Sequence, residues 1–135
     1  MTLIQFLKVY GASCVVLFAV DLVWLGIVAK GFYHRHLETL LRPEVRWGPG
    51  LLFYLLYVAA LIVFVVQPAL ERQSLTRALA LGAFFGLTAY ATFDLTSLAM
   101  IRDFPTLVAV VDIAWGTALT TAVAAAGYGV GRLVT

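Results

Sequence analysis

Apolar residues fall in four long runs along the chain, and polar residues gather between them. The runs are Leu3–Val28, Trp47–Val66, Leu75–Ile101 and Thr106–Val130. Each has about 20 residues or more, enough at 1.5 Å per residue to cross the ~30 Å hydrocarbon core of a bilayer. The first break is Lys30-Gly31, followed by Tyr33-His34-Arg35-His36-Leu37-Glu38 and a polar stretch to Arg46. The second is Gln67-Pro68 with Glu71-Arg72-Gln73-Ser74, and the third is Arg102-Asp103-Phe104-Pro105. Pro49 suits a first helical turn, because its missing N–H is one that such a turn leaves unused. The pattern predicts an all-α integral membrane protein. Residues 1–135 form one domain, an antiparallel four-helix transmembrane bundle. Both termini lie on one side, side A. The Lys30–Arg46 loop and the Arg102–Pro105 turn lie on the other, side B.

Composition strengthens this reading. The chain is 63% hydrophobic and 12% charged, with a mean hydropathy of +1.00, whereas soluble domains carry about 25% charged residues. The net charge of +2 is small, and basic residues occur singly between apolar runs, so no nucleic-acid partner is expected. Side B holds Lys30, Arg35, Arg42, Arg46 and Arg102; side A holds Lys8, Arg72, Arg77, Arg132 and the amino terminus. That near balance tilts only slightly towards a cytoplasmic side B. Lys8 before an apolar run resembles a signal sequence. The run is too long for one, contains Asp21, and meets no small-residue cleavage site before Lys30, so a retained helix is expected. Cys14 is the only cysteine and has no intrachain partner.

Against this apolar background, Asp21, Asp94 and Asp112 stand out. Each lies within a run, where inserting an ionisable group costs about 2.5–3.5 kcal/mol, so each must face protein or water or hold a proton. Asp21 lies seven residues before Val28, Asp94 seven before Ile101, and Asp112 six after Thr106. All three are therefore roughly 10 Å inside the side-B boundary. Tyr54 and Tyr57 fall at a similar depth in the second run. Tyr90 is one turn before Asp94, Gly116 one turn after Asp112, and Tyr10, Cys14, Leu17 and Asp21 share a stripe. With the aspartates inward, the bundle encloses a pocket bearing Tyr10, Asp21, Tyr54, Tyr90, Asp94 and Asp112, with Thr96, Ser97 and Thr117 as nearby hydroxyls. Its mouth faces the loop with Tyr33, His34 and His36.

Asp21-Leu22-Val23-Trp24 and Asp112-Ile113-Ala114-Trp115 repeat the pattern D-x-x-W. An indole N–H only donates, so it can point at a carboxylate one turn away. Trp24 and Trp115 join the pocket candidates on that ground, with anchoring at the membrane interface as the alternative; Trp47 reads as an anchor. Ala78, Gly82 and Gly86 recur every four residues, and Gly116, Ala118, Ala122, Ala126 and Gly127 line the fourth run. Small residues at such spacings let helices approach closely, here within the bundle or against a second copy.

Tyr90-Ala91-Thr92-Phe93-Asp94-Leu95-Thr96-Ser97-Leu98-Ala99, then Phe104-Pro105, then Val111-Asp112-Ile113-Ala114-Trp115-Gly116, resemble a family of small bacterial membrane proteins catalogued as a domain of unknown function. Asp21-Leu22-Val23-Trp24-Leu25, Phe32-Tyr33 and Gln67-Pro68-Ala69-Leu70 fit its pattern as well. Ser97 stands where the family pattern has Asn, and Phe104 where it has Trp; neither difference removes a carboxylate. The resemblance implies a bacterial inner-membrane location and brings no activity with it.

Neither histidine lies in a run, so no haem-type pair is present. His34, His36 and Glu38 read as a solvated loop, and no metal or cofactor is expected. Phosphate-loop, dinucleotide and serine-nucleophile motifs are absent. Three readings stay open. In the first, the pocket binds or acts on a lipid-like or isoprenoid-like amphipathic molecule, a membrane lipid being the partner. In the second, the chain is a structural or assembly subunit whose polar layer docks a partner membrane protein. In the third, it is a proton-coupled small-molecule carrier working as a homo-oligomer. Whether the protein is an enzyme is open with them.

Overall fold

The computed structural model describes residues 1–135 and is helical with no strands. Four helices are long and apolar enough to cross a membrane: α1 (Leu3–Val28), α3 (Trp47–Glu71), α4 (Leu75–Met100) and α5 (Thr106–Val134). A short helix, α2 (Phe32–Leu37), lies in the first connection.

Local chemistry explains the ends. Thr2 Oγ1 accepts the Gln5 N–H at 3.2 Å, and Gln5 Oε1 accepts the Thr2 N–H at 2.9 Å, a reciprocal cap that satisfies two otherwise orphaned donors. Ser74 caps α4 by accepting the Arg77 N–H at 3.1 Å. Pro105 precedes the first residue of α5. Gly31, at φ +81°, reverses the chain between α1 and α2, a conformation that costs glycine little.

The second run does not end at Gln67-Pro68, as the sequence suggests, but continues to Glu71. The turn before the proline, Ile62–Val66, is widened, and the Gln67 N–H donates to Ile62 O five residues back. A proline in a regular helix collides with the carbonyl four residues earlier and removes a hydrogen bond; a π turn accommodates both. A second π turn, Trp24–Val28, ends α1, with the Ala29 N–H on Trp24 O at 2.6 Å. The fourth run extends past Val130 to Val134. It carries Arg132 in its last turn, where Nη1 donates to the Tyr128 hydroxyl at 3.3 Å.

Helix α5 is the most enclosed span and packs most extensively against α4, then α1. The small-residue stripes make this approach close. A Cβ built on Gly82 would lie 2.7 Å from Ala124 Cβ, and one on Gly86 would lie 2.7 Å from the Gly116 carbonyl oxygen. Lipid tails are as apolar as leucine, so close van der Waals packing of this kind holds spans together. Leu17, Val58, Leu61, Ile62, Val65, Val66, Leu119 and Val123 form the core that joins α1, α3 and α5. Outward-facing apolar residues such as Leu52 and Phe84 are 68% and 69% exposed, as lipid-facing positions are. Gln5 Nε2 donates to Val134 O at 3.1 Å, tying the start of α1 to the end of α5. The first half of α3 packs loosely on its neighbours, and this looseness shapes the site.

Candidate functional site

At the α2 end of the bundle, α1, α3, α4, α5 and α2 bring their polar side chains together. Asp21 is buried, 8% exposed. Its Oδ2 accepts the Tyr54 hydroxyl of α3, and its Oδ1 accepts the Trp115 indole N–H of α5 at 3.1 Å. Asp112 Oδ1 accepts the Tyr33 hydroxyl of α2 at 3.0 Å, and the Tyr33 oxygen accepts the Trp24 indole N–H at 3.1 Å. The two indoles stack with centroids 4.4 Å apart and planes 6° from parallel.

The two D-x-x-W patterns thus work crosswise. Neither indole N–H donates to the aspartate on its own helix. Trp115 serves Asp21, and Trp24 serves Asp112 through Tyr33. The i, i+3 spacing puts Asp and Trp on one face, but each indole N–H donates to another helix, Trp115 to Asp21 of α1 and Trp24 to Tyr33 of α2.

Asp94 is fully buried, and neither of its carboxyl oxygens meets a donor. The Asp112 carboxyl adjoins it. Tyr90 lies over this region because Gly116 has no side chain; a Cβ there would fall 2.1 Å from Tyr90 Cγ.

Between these groups is a cavity of about 170 Å³, lined by Asp21, Trp24, Leu25, Tyr33, Tyr54, Tyr90, Asp112 and Trp115. Two larger apolar spaces flank it, one on each side of the loosely packed half of α3. A cleft of about 400 Å³ between α3 and α4 is lined by Phe53, Ala89, Tyr90, Phe93 and Asp112. A groove of about 300 Å³ runs between α1 and α3 and reaches Asp21 and Tyr54. Tyr33, in α2 outside the spans, has its hydroxyl pushed well above the usual phenol range, first by burial. The Trp24 N–H works against that rise, and the Asp112 charge adds to it. An open basin of about 600 Å³ beside α2, with His34, Arg35 and Arg42, shares no residue with the cavity. No three His, Cys, Asp or Glu side chains gather to hold a metal ion.

Over residues 6–129 the sequence matches a family described as "Predicted membrane protein (DUF2177)". The chain belongs to this family. Every residue lining the carboxylate cavity lies within the matched region. No curated protein and no solved structure matches the chain.

In this DUF2177 protein, Asp21, Trp24, Tyr54, Tyr90, Asp112 and Trp115 line one cavity, and Asp94 joins them through Asp112. Thr96 does not. It is exposed on α4, and its hydroxyl donates to Thr92 O and Phe93 O of its own helix. Two residues past Asp94 is ~200° around a helix, the far face. Thr117 likewise bonds to Ile113 O at 2.8 Å within α5, and Tyr10 donates to Leu55 O at 2.8 Å, outside the cavity. Tyr33, expected only near the mouth, is a wall of the cavity and the donor to Asp112. The turn at Gly31 that folds it back leaves no periodic signal in the sequence.

Proposed function

We propose that the protein binds or acts on a lipid-like or isoprenoid-like amphipathic molecule that reaches Asp112 sideways, from the bilayer. One observation carries this reading: Asp112 lines both the polar cavity and the apolar cleft between α3 and α4. A molecule with its chain along Phe53 and Phe93 would place a hydroxyl or similar donor against that carboxyl. Asp21 is less suited to this role, because both its oxygens are occupied by Tyr54 and Trp115. Asp94 behind Asp112 supplies a second carboxyl with no other partner. Two adjoining carboxyl groups beside a bound polar head suit acid–base chemistry on it, should binding lead to turnover.

Native mass spectrometry of the purified protein tests this proposal. The wild type is expected to retain a specific lipid-sized adduct, and Asp112→Ala to lose most of it. No specific adduct in the wild type, together with unchanged membrane lipids in a strain lacking the protein, would overturn the proposal. The saturation of Asp21 favours a second reading for that residue alone, as a lock on helix register. Asp21→Asn would then lower stability without changing the adduct.

A further inference from the structure

We infer that the groove between α1 and α3 is a separate seat for an anionic phospholipid, with the phosphate on Arg46 and one acyl chain between the helices. This site lies on the opposite side of α3 from the cleft of the proposed function. Asp112 does not line it, and it stands whether or not that proposal holds.

The groove begins at Arg46 and Trp47, the residues at which α3 starts. It descends past Leu22 and Leu25 of α1 and Gly50 and Leu51 of α3. Its deep end is closed by Phe18 against Tyr54, rings 5.3 Å apart and edge to face. From Leu25 to Phe18 is about 10 Å along the helix axis, a depth that acyl methylenes occupy and headgroups do not. The walls are therefore apolar where a chain would lie and cationic where a headgroup would lie.

The charge at the mouth is free. Arg46 is exposed. Arg132 is the arginine whose side chain is hydrogen-bonded within the protein, to Tyr128, and Arg46 has no such partner. A guanidinium at the membrane boundary matches a phosphate in geometry as well as charge, and a basic residue there attracts anionic lipid. Glu44, two residues earlier, does not line the groove. Asp21 lies at its inner end, with both oxygens already donated to. An anion is therefore drawn to the mouth and not to the floor. Trp47, 73% exposed beside Arg46, fits the headgroup level where tryptophan collects.

Gly50 makes the chain part of the inference testable. It lines the groove, and a Cβ built on it meets nothing within 4 Å. A side chain can therefore start there without meeting protein atoms, and a leucine would extend into the chain space. The experiment is native mass spectrometry in an uncharged detergent after incubation with dioleoylphosphatidylglycerol or dioleoylphosphatidylcholine at equal concentration. The wild type is expected to retain the anionic lipid about fivefold over the zwitterionic one. Arg46→Gln should bring that ratio to about one, and Gly50→Leu should cut retention of the anionic lipid several-fold. Arg42→Gln, in the same loop, and Gly11→Leu, also in open space, should change neither. Equal retention of both lipids by the wild type would overturn the inference. So would an Arg42→Gln effect as large as that of Arg46→Gln, which would indicate a diffuse basic surface. Unchanged retention in Gly50→Leu would remove the chain from the site. If Gly50→Leu does not fold, Leu51→Trp probes the same wall and is read in the same way.

Discussion

The indole of Trp24 lies flat on that of Trp115, centroids 4.4 Å apart, and each tryptophan hydrogen-bonds towards the aspartate of the other helix. The stack is the hub that joins α1 to α5 at the depth of the carboxylates. Trp24→Leu and Trp115→Leu are each expected to weaken the protein, and their effects to be non-additive by about 0.5–1.5 kcal/mol, the size of an aromatic stack. Denaturant titration of the two single variants and the double variant measures that coupling. Simple additivity would mean that the rings touch without holding the helices together.

Trp115→Phe keeps a ring and removes the N–H on Asp21, leaving that buried carboxyl with Tyr54 alone. A loss of about 1–2 kcal/mol is expected. Trp115→Phe in an Asp21→Asn background should cost clearly less, since the carboxyl is gone. The same unfolding assay separates the two outcomes.

Asp94 and Asp112 give opposite expectations for two substitutions at one position. In Asp94→Asn an amide N–H₂ replaces an oxygen and can donate to Asp112, so stability should equal or exceed that of the wild type. Asp94→Ala removes the partner and leaves a buried void, and should destabilise by about 1–3 kcal/mol. A destabilised Asn variant would show that the pair needs the second carboxyl itself.

Tyr33 should resist alkali. Burial raises its hydroxyl above the ordinary range, so the folded state holds that proton more tightly than the unfolded chain does. The stability it contributes is in full force below about pH 10, where a free tyrosine is half ionised. It is lost as pH rises from there through the folded value. In a ¹³Cζ-tyrosine NMR titration, the resonance missing from Tyr33→Phe should stay at its phenol position at about pH 10. Movement there towards the tyrosinate position would show that the hydroxyl faces water.

Gly116→Ala should be the most damaging of the glycine-to-alanine changes, because the new carbon would lie 2.1 Å from the Tyr90 ring. Overpacking of this kind costs about 1–3 kcal/mol. Gly129→Ala, with nothing within 4 Å, serves as its control. Thermal unfolding in detergent compares the two, and Tyr90→Leu should restore part of the loss by vacating the ring position.

The spans were readable from the sequence because the bilayer imposes length and apolarity on every helix that crosses it. Asp21, Asp94 and Asp112 were readable for the same reason: a carboxyl in such a helix must find company. Which group accompanies which carboxyl was not. Spacing along one helix puts Asp21 and Trp24 on a common face and says nothing about the indole that arrives from α5. Thr96 is near Asp94 in sequence, but two residues turn a side chain to the far face. The continuation of α3 through Pro68 was hidden because the accommodating turn is built from Ile62, Val63, Phe64, Val65 and Val66, whose side chains are those of any regular span. The sequence puts Tyr33 near the mouth and not in the wall, since its position depends on a backbone reversal at Gly31.

The widened turn at Ile62–Val66 amounts to one surplus residue absorbed inside a helix. Regular winding would need one residue fewer, so the two halves of α3 are out of phase by about 100°. The lower half presents Ala69 and Leu70 to the end of α5, with Leu70 seated against Gly131. The upper half presents Tyr54 and Tyr57 to Asp21 and Thr120. Removing any one residue of Ile62–Val66 would straighten the rod and swing the tyrosines away from their hydrogen-bond partners while the lower half kept its seat. The length of this span is thus set to a single residue by rotational phase, a tighter tolerance than membrane thickness imposes.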